Sequence, residues 1–232
     1  MKKSNKILLG GLLTVLLVSV AVQVALYARY KAGHYIPYSE RMSEEAARTQ
    51  EFANARHIDI RYFKNVSVRI GDRLMVEQFG YDAEEIILTQ KGGSVQLSLK
   101  DTISNSDVFG YMVVYVPENS LITAHKASLR VEGTQGKPIN ALHVVANESH
   151  VVFQQARNMM QIDSLNVEAA NQALIELQNA RINKLSVQLN ASELLDRQAI
   201  IDQLILNADS ASRVNLQSKH ILNLTTKTTV HE

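Results

Sequence analysis

The hydrophobic pattern changes character twice along the chain. Residues 7–27, ILLGGLLTVLLVSVAVQVALY, run for 21 positions in which only Thr14, Ser19 and Gln23 are clearly polar. A hydrocarbon core takes about 20 such residues as a helix, so the run predicts a transmembrane anchor over 7–27. A cleaved signal peptide is the competing reading, with Ser19-Val20-Ala21 as its small-x-small site. Lys2, Lys3 and Lys6 precede the run, and Arg29, Lys31 and Arg41 follow it. The lysine cluster is nearest the membrane, so residues 1–6 are expected in the cytoplasm and the rest outside. Residues 28–56 read as a juxtamembrane linker and a short stalk helix. Ser39 or Ser43 would cap that helix, Glu44 and Arg48 would pair at i,i+4, and Met42, Ala46 and Phe52 lean to one side.

After Arg56 the period becomes two. Ile58/Ile60, Val66/Val68/Ile70, Leu74/Val76, Val95/Leu97/Leu99 and Met112/Val114/Val116 alternate with polar residues. Turn signals punctuate them at Gly71-Asp72, Gly80-Tyr81-Asp82, Lys91-Gly92-Gly93 and Pro117-Glu118-Asn119. Short alternating runs bounded by such signals predict strands.

From Ile139 the strands become a repeat. Ile139-Asn-Ala-Leu-His-Val144, Ile162-Asp-Ser-Leu-Asn-Val167, Ile182-Asn-Lys-Leu-Ser-Val187 and Ile201-Asp-Gln-Leu-Ile-Leu206 share Ile-[Asn/Asp]-x-Leu-x-[Val/Leu], at steps of 23, 20 and 19 residues. Leu222-Asn223-Leu224 reads as a partial fifth copy without the leading Ile. A second apolar pair follows each copy: Val151/Phe153, Ile175/Leu177, Leu194/Leu195 and Val214/Leu216. Asn147-x-Ser149, Asn190-x-Ser192 and Asp209-Ser210 recur as polar turns. A coil of this length sets each Ile over its counterpart, stacks the inward side chains and pairs backbones in parallel. Helix propensity rivals this reading over 168–185 and 193–206, but the 3.6-residue stripe Leu174, Leu177 runs into Arg181 and Lys184. The expected fold is therefore all-β: a single-stranded, right-handed parallel β-solenoid over 57–232, with irregular N-terminal β rungs. Residues 57–137 would cover one end of the stack. The tail Thr225–Glu232 would leave the other partly open, so pairing of ends into a homo-oligomer is expected.

Composition narrows the chemistry. With 24 basic and 23 acidic residues the formal charge is +1, which leaves no nucleic-acid footprint. Aromatics are 6% and Trp is absent, which argues against a stacking platform for sugar rings or bases. There is no Cys, hence no disulfide, thiol catalysis or cysteine-based metal site. No catalytic, cofactor-binding or metal-ligating set emerges. Asp163 and Asp202 occur once per coil and share a column with Asn140 and Asn183, as a turn ladder would. His143 and His150 have no evident acidic third ligand and read as surface histidines. Asp101-Thr102-Ile103, Asp163-Ser164-Leu165 and Asp209-Ser210-Ala211 match the Asp-Ser/Thr-apolar pattern of periplasmic O-glycosylation in Bacteroidetes, and also ordinary turn composition.

Taken in order, the strands Phe63-Lys-Asn-Val-Ser-Val-Arg-Ile70, Leu74-Met-Val-Glu-Gln78, Glu85-Ile-Ile-Leu-Thr-Gln90, Ser94-Val-Gln-Leu-Ser-Leu99 and Tyr111-Met-Val-Val-Tyr-Val-Pro117, with the coils after them, resemble the auto-transporter adhesin head GIN domain family. The similarity covers roughly 57–226, and at the turns Asn-x-Ser and Asp-Ser stand where that family carries Ser-Gly. The resemblance implies a β-solenoid of the bacterial cell envelope with no established catalytic residues. The expected function is a non-catalytic, membrane-anchored envelope protein whose solenoid surface binds an unidentified protein or glycan, in an adhesin-like manner. A self-associating structural scaffold is the alternative, and a carbohydrate-active β-helix enzyme a distant third. The expected location is the inner membrane, single-pass, with the soluble domain in the periplasm, or a secreted or outer-membrane position after signal cleavage.

Overall fold

The structure, a computed structural model, describes residues 3–31, 48–79, 86–99, 111–133, 137–155, 159–217 and 221–228. The chain forms two compact units, Met1–Ala46 and Ala47–Glu232. The first contains one helix, α1, Lys3–Lys31. Its apolar side chains have no preferred side, and Leu12, Leu13, Val15, Leu17, Val20 and Val24 are all exposed. Thr14 turns its hydroxyl inward and donates from Oγ1 to the Gly10 carbonyl at 2.9 Å. The sequence predicts a transmembrane anchor over 7–27, whereas among the described residues no helix is long and apolar enough to cross a membrane.

Among its described residues the second unit is built of strands. They are β1 Arg48–Phe52, β2 His57–Arg61, β3 Val66–Ile70, β4 Leu74–Phe79, β5 Ile86–Lys91 and β6 Ser94–Leu99. Next come β7 Tyr111–Val116, β8 Leu121–His125, β9 Ser128–Glu132, β10 Ile139–Asn147, β11 His150–Phe153 and β12 Met160–Ala170. The last are β13 Leu174–Leu177, β14 Ala180–Asn190, β15 Glu193–Asp196, β16 Ile200–Ala208, β17 Arg213–Asn215 and β18 Ile221–Thr228. They form two sheets that share each coil of a β-solenoid. Sheet A runs β1-β4-β7-β3-β9-β11-β13-β15-β17, and sheet B runs β18-β16-β14-β12-β10-β8-β2-β6-β5.

The repeat sets the register. Ile139, Ile162, Ile182 and Ile201 pair in sequence across β10, β12, β14 and β16, and Leu142, Leu165, Leu185 and Leu204 do the same. All eight are at most 2% exposed. Between each Ile and Leu two consecutive residues face outward, for example Asp163 and Ser164, so the long strand bends there. Asn140, Asp163, Asn183 and Asp202 stack at that bend, with Asn183 donating to Asp163 at 2.8 Å. Left-handed residues make the corner from sheet B to sheet A in five coils: Tyr62 (φ 66°), Lys126 (φ 50°), Glu148 (φ 48°), Asn171 with Gln172 (φ 55° and 65°) and Ala191 (φ 47°). In the middle coils such a residue's N–H donates to the strand-end carbonyl of the next coil, as from Glu148 to Ala170 at 3.2 Å. Ser149 and Ser192 tuck under the same corner and donate to Asn147 and Asn190 carbonyls. The predicted Asn-x-Ser turns thus satisfy buried backbone groups.

Four sequence expectations need correction. Arg48–Phe52, placed in the stalk helix, is strand β1, antiparallel to β4 with Phe52 buried; residues 39–47 of that helix lie outside the described residues. Pairing along β4 satisfies this short backbone and lets Phe52 reach the core. Leu195, read as inward, faces out beside Glu176, and Asp196 occupies the inward column opposite Leu177. Pairing of Leu194 with Ile175 fixes that parity. Asp196 is 2% exposed and accepts from Ala199 N at 2.7 Å and Gln217 N at 3.3 Å. The fifth copy also starts earlier than read: Ile221 pairs with Ile201 and Leu224 with Leu204, so the leading Ile is present.

The fourth correction concerns chain order. The coil β2–β3 does not lead the stack; it is inserted between β6–β7 and β8–β9, paired in parallel on both sides. Beyond β7 and β6 the direction reverses. β4 and β1 finish sheet A antiparallel, and β5 finishes sheet B antiparallel through the tight Gly92-Gly93 turn. That end is closed by reversed strands. The other end stops at β17 and β18, where Leu222 and Leu224 are 68% and 55% exposed.

Candidate recognition surface

The structure separates the residues that might have formed a catalytic set. His143 lies on β10 in sheet B and His150 on β11 in sheet A, so the two do not share a face. Each faces a glutamate of the following coil: His143 Nε2 is 3.1 Å from Glu168, and His150 Nε2 is 3.7 Å from Glu176. Glu176 is mostly buried and also meets Arg197 at 3.5 Å and Gln178 at 2.6 Å. These are pairs within a ladder. Among the described residues no group of three His, Asp or Glu side chains is placed to hold a metal ion. Asp202 lies 3.4 Å from Arg181. Asp209 acts as a turn acceptor for Ala191 N and Ser212 Oγ. Those bonds, the serine bond first, hold its carboxyl below the ordinary range against some burial. Asp101-Thr102-Ile103 lies outside the described residues.

The outer face of sheet B is polar. Near its closed end His57 is held between Ser94 at 2.9 Å and Thr123 at 3.0 Å. Arg61 reaches Asp59 at 2.6 Å, which raises the basicity of its guanidinium through that hydrogen bond. Farther along, a shallow groove of about 290 Å³ runs over the bend, lined by Asn119, Leu121, His143, Ser164 and Asn166 among others.

The outer face of sheet A is different in kind. β4 and β7 pair so that Phe79 lies opposite Tyr111, Glu77 opposite Val113 and Met75 opposite Tyr115. Because the inward residues Leu74, Val76, Met112, Val114 and Val116 fill the core at 0% exposure, the alternation sends these six outward. The rings of Phe79 and Tyr111 are 6.1 Å apart, tilted by 37°. Beside them runs a hydrogen-bonded chain across four strands. Glu132 accepts from Arg69 Nε at 3.2 Å, Arg69 bonds Tyr115, and the Tyr115 hydroxyl donates to Glu77 at 3.2 Å. Burial lifts the Tyr115 phenol above its ordinary value although the bond to Arg69 works against this. Burial also opposes the charge on Arg69, and the bonds to Tyr115 and Glu132 outweigh it and raise its basicity. At the centre of the face Ser67 and Val113 point outward yet are only 3% and 2% exposed.

The low aromatic content argued against such a surface, because an average over the chain says nothing of placement. Phe52, Phe63 and Phe153 are core. Of the outward rings in the described part of this unit, Phe79, Tyr111 and Tyr115 share two neighbouring strands. Their cross-strand pairing joins residues far apart in sequence, and no local signal carries it.

No family model matches the chain, and no curated protein matches it in sequence. Among solved structures it is similar to a putative adhesin from Bacteroides fragilis, at 12% identity and TM-score 0.46, over 79% of this chain and 94% of that one. A putative cell adhesion protein from Clostridium sporogenes aligns at 10% identity and TM-score 0.31, over 72% of this chain and 98% of that one. The chain is also similar to a putative adhesin from Parabacteroides distasonis, at 11% identity and TM-score 0.57, over 80% of this chain and 77% of that one, and this likeness is one of fold.

Proposed function

We propose that this chain is a non-catalytic recognition module of the bacterial cell envelope, adhesin-like in its use and attached through the apolar N-terminal run of its sequence. The observation that carries the reading is the platform on sheet A, where aromatic rings and a bonded charge network lie together on a rigid outer face. Strands present these groups without loop ordering on binding, which lowers the entropic cost of capture. The name "adhesin" on the fold neighbours supports the same reading, as does the resemblance to the GIN domain family. Membrane attachment rests on the sequence, on the 21-residue apolar run from Ile7 to Tyr27. The test uses full-length chain in lipid vesicles, passed over panels of immobilised polysaccharides and envelope proteins. Retention on at least one surface, above that of protein-free vesicles, is expected. Flow-through from every surface would overturn the reading.

Self-association is the second reading, favoured by one observation. At the β17–β18 end the inward column position Leu224 is 55% exposed and no described residue is stacked over it. A second copy of the same end offers a matching coil.

A further inference from the structure

We infer that the sheet A platform takes an uncharged saccharide, with one sugar ring seated against Phe79 and Tyr111. The inference rests on the recognition reading and names its site and ligand class.

Three features of the face select the ligand. The first is the ring pair. At a centroid separation of 6.1 Å and a tilt of 37°, Phe79 and Tyr111 are neither stacked face to face nor set edge to face. Both side chains are half-buried, so part of the ring surface is left to an incoming group. A pyranose has an apolar C–H face that fits such a surface, and hydroxyls around its rim.

The second feature is what borders the rings. Glu77, Tyr115 and Arg69 form a fixed sequence of acceptors and donors on the same face, adjoining the rings in register. Bonded to one another, these groups are oriented before a ligand arrives, and polar groups held in this way hydrogen-bond hydroxyls at little ordering cost.

The third feature is charge. Among the described residues around β1, β4, β7, β3 and β9 this part of the face carries Glu51, Glu77 and Glu132 against Arg69, Arg73 and Arg130, three of each sign. Arg69 is paired with Glu132 and Arg73 with Glu51. An acidic polysaccharide would find no net positive field to steer or hold it. A protein partner generally needs about 800 Å² on each side with an apolar centre, and the half-buried Phe79, Tyr111, Tyr115 and Met75 offer a smaller apolar area. A neutral sugar matches the size and the charge.

The test measures retention of vesicles bearing full-length chain on mannan, amylose and chitohexaose, beside heparin, polygalacturonate and collagen. Retention is expected on at least one neutral saccharide and on neither anionic one. Phe79→Leu and Tyr111→Leu keep apolar, strand-compatible side chains and remove the rings, and each is expected to weaken retention about tenfold. Lys184→Ala with Gln188→Ala on the outer face of sheet B is expected to leave it unchanged. Far-ultraviolet circular dichroism and melting confirm that the variants fold, and Phe79→Tyr, which keeps a ring, is expected to restore retention. Retention on neutral saccharide that survives both leucine variants would place the site elsewhere and overturn the inference while leaving the recognition reading standing. Retention only on heparin, polygalacturonate or collagen would overturn the ligand class. Absence of retention on every surface overturns both.

Discussion

Replacing Ile182 by Ala in the middle of the stack tests whether the repeat is the source of stability. Ile182 is 0% exposed and lies between Ile162 and Ile201, themselves 1% and 0% exposed. The change removes three carbons, worth about 2.4 kcal/mol in transfer at roughly 0.8 kcal/mol each. The coils on both sides are paired along their length and cannot collapse into the gap, so a cavity term adds to this and brings the loss to about 3–4 kcal/mol. For a unit of this size each kcal/mol shifts the midpoint by about 2–4 °C, so a fall of about 10 °C is expected. The matched control is Leu224→Ala. Leu224 occupies the Leu204 column but is 55% exposed, and its loss is expected to cost under about 1 kcal/mol. The assay is thermal melting of the full chain followed by hydrogen exchange resolved by peptide. Because each coil contacts only its neighbours, exchange in Ile182→Ala should rise most from β12 to β16 and least from β1 to β7. Equal destabilisation by the two substitutions, or uniform loss of protection, would refute the stacked-column account.

Ala191 holds φ at 47° without the freedom of glycine, so Ala191→Gly is expected to raise stability by about 0.5–1 kcal/mol in urea unfolding. Asp196→Leu restores an apolar residue to the inward column but strands the Ala199 and Gln217 N–H groups; a loss of about 2–3 kcal/mol is expected, and a neutral or stabilising result in the same assay would count against the assigned bonds. The Asp209 carboxyl titrates below its ordinary value in the folded chain, so its contribution is present above the ordinary carboxylate range and fades as pH falls through the lowered value. Protection of the Ala191 N–H relative to its intrinsic exchange should therefore fall on acidification, and Ser212→Ala should move that fall to higher pH. Carbonate extraction of native membranes should leave the full chain in the pellet, and release of it into the supernatant would end the anchor reading. Sedimentation of the full chain in detergent across a dilution series should show nothing larger than a dimer.

Much of this architecture was legible because stacking forces apolar residues to recur at one position per coil. Ile139, Ile162, Ile182 and Ile201 could be assigned to one column from spacing alone, and their pairing follows it. Corners were partly legible. Asn147-x-Ser149 and Asn190-x-Ser192 carried a turn signature, but Tyr62, Lys126, Glu148 and Ala191 adopt φ between 47° and 66° with no glycine or asparagine to announce it. Stacked corner hydrogen bonds impose that backbone against local preference. Parity failed at Leu194-Leu195-Asp196 because two adjacent leucines leave the inward face ambiguous, and a carboxylate is not expected in a core column unless its acceptors are filled. The insertion of β2–β3 was illegible for a different reason. Period-two alternation fixes which face of a strand is buried and is silent on which strands flank it. The candidate platform depends on that pairing, so it was hidden for the same cause.

The two ends of the unit bear directly on assembly. A scaffold that grows head to tail needs each end to accept the other, coil upon coil, in parallel register. Here the chain has finished one end with strands that run the other way: β4 antiparallel to β7, β1 antiparallel to β4, and β5 antiparallel to β6. A parallel coil arriving there meets β1 and β5, whose outer residues Thr49, Gln50, Glu51, Gln90 and Lys91 are exposed and polar or charged. Such residues on an edge strand discourage further pairing. The β17–β18 end carries no reversed strand among the described residues and leaves Leu222 and Leu224 uncovered. Only like ends are then matched in apolar character, and an isologous contact uses up both. Self-association through this end therefore stops at two copies, which separates it from filament formation and keeps Phe79 and Tyr111, at the other end of sheet A, outside the contact.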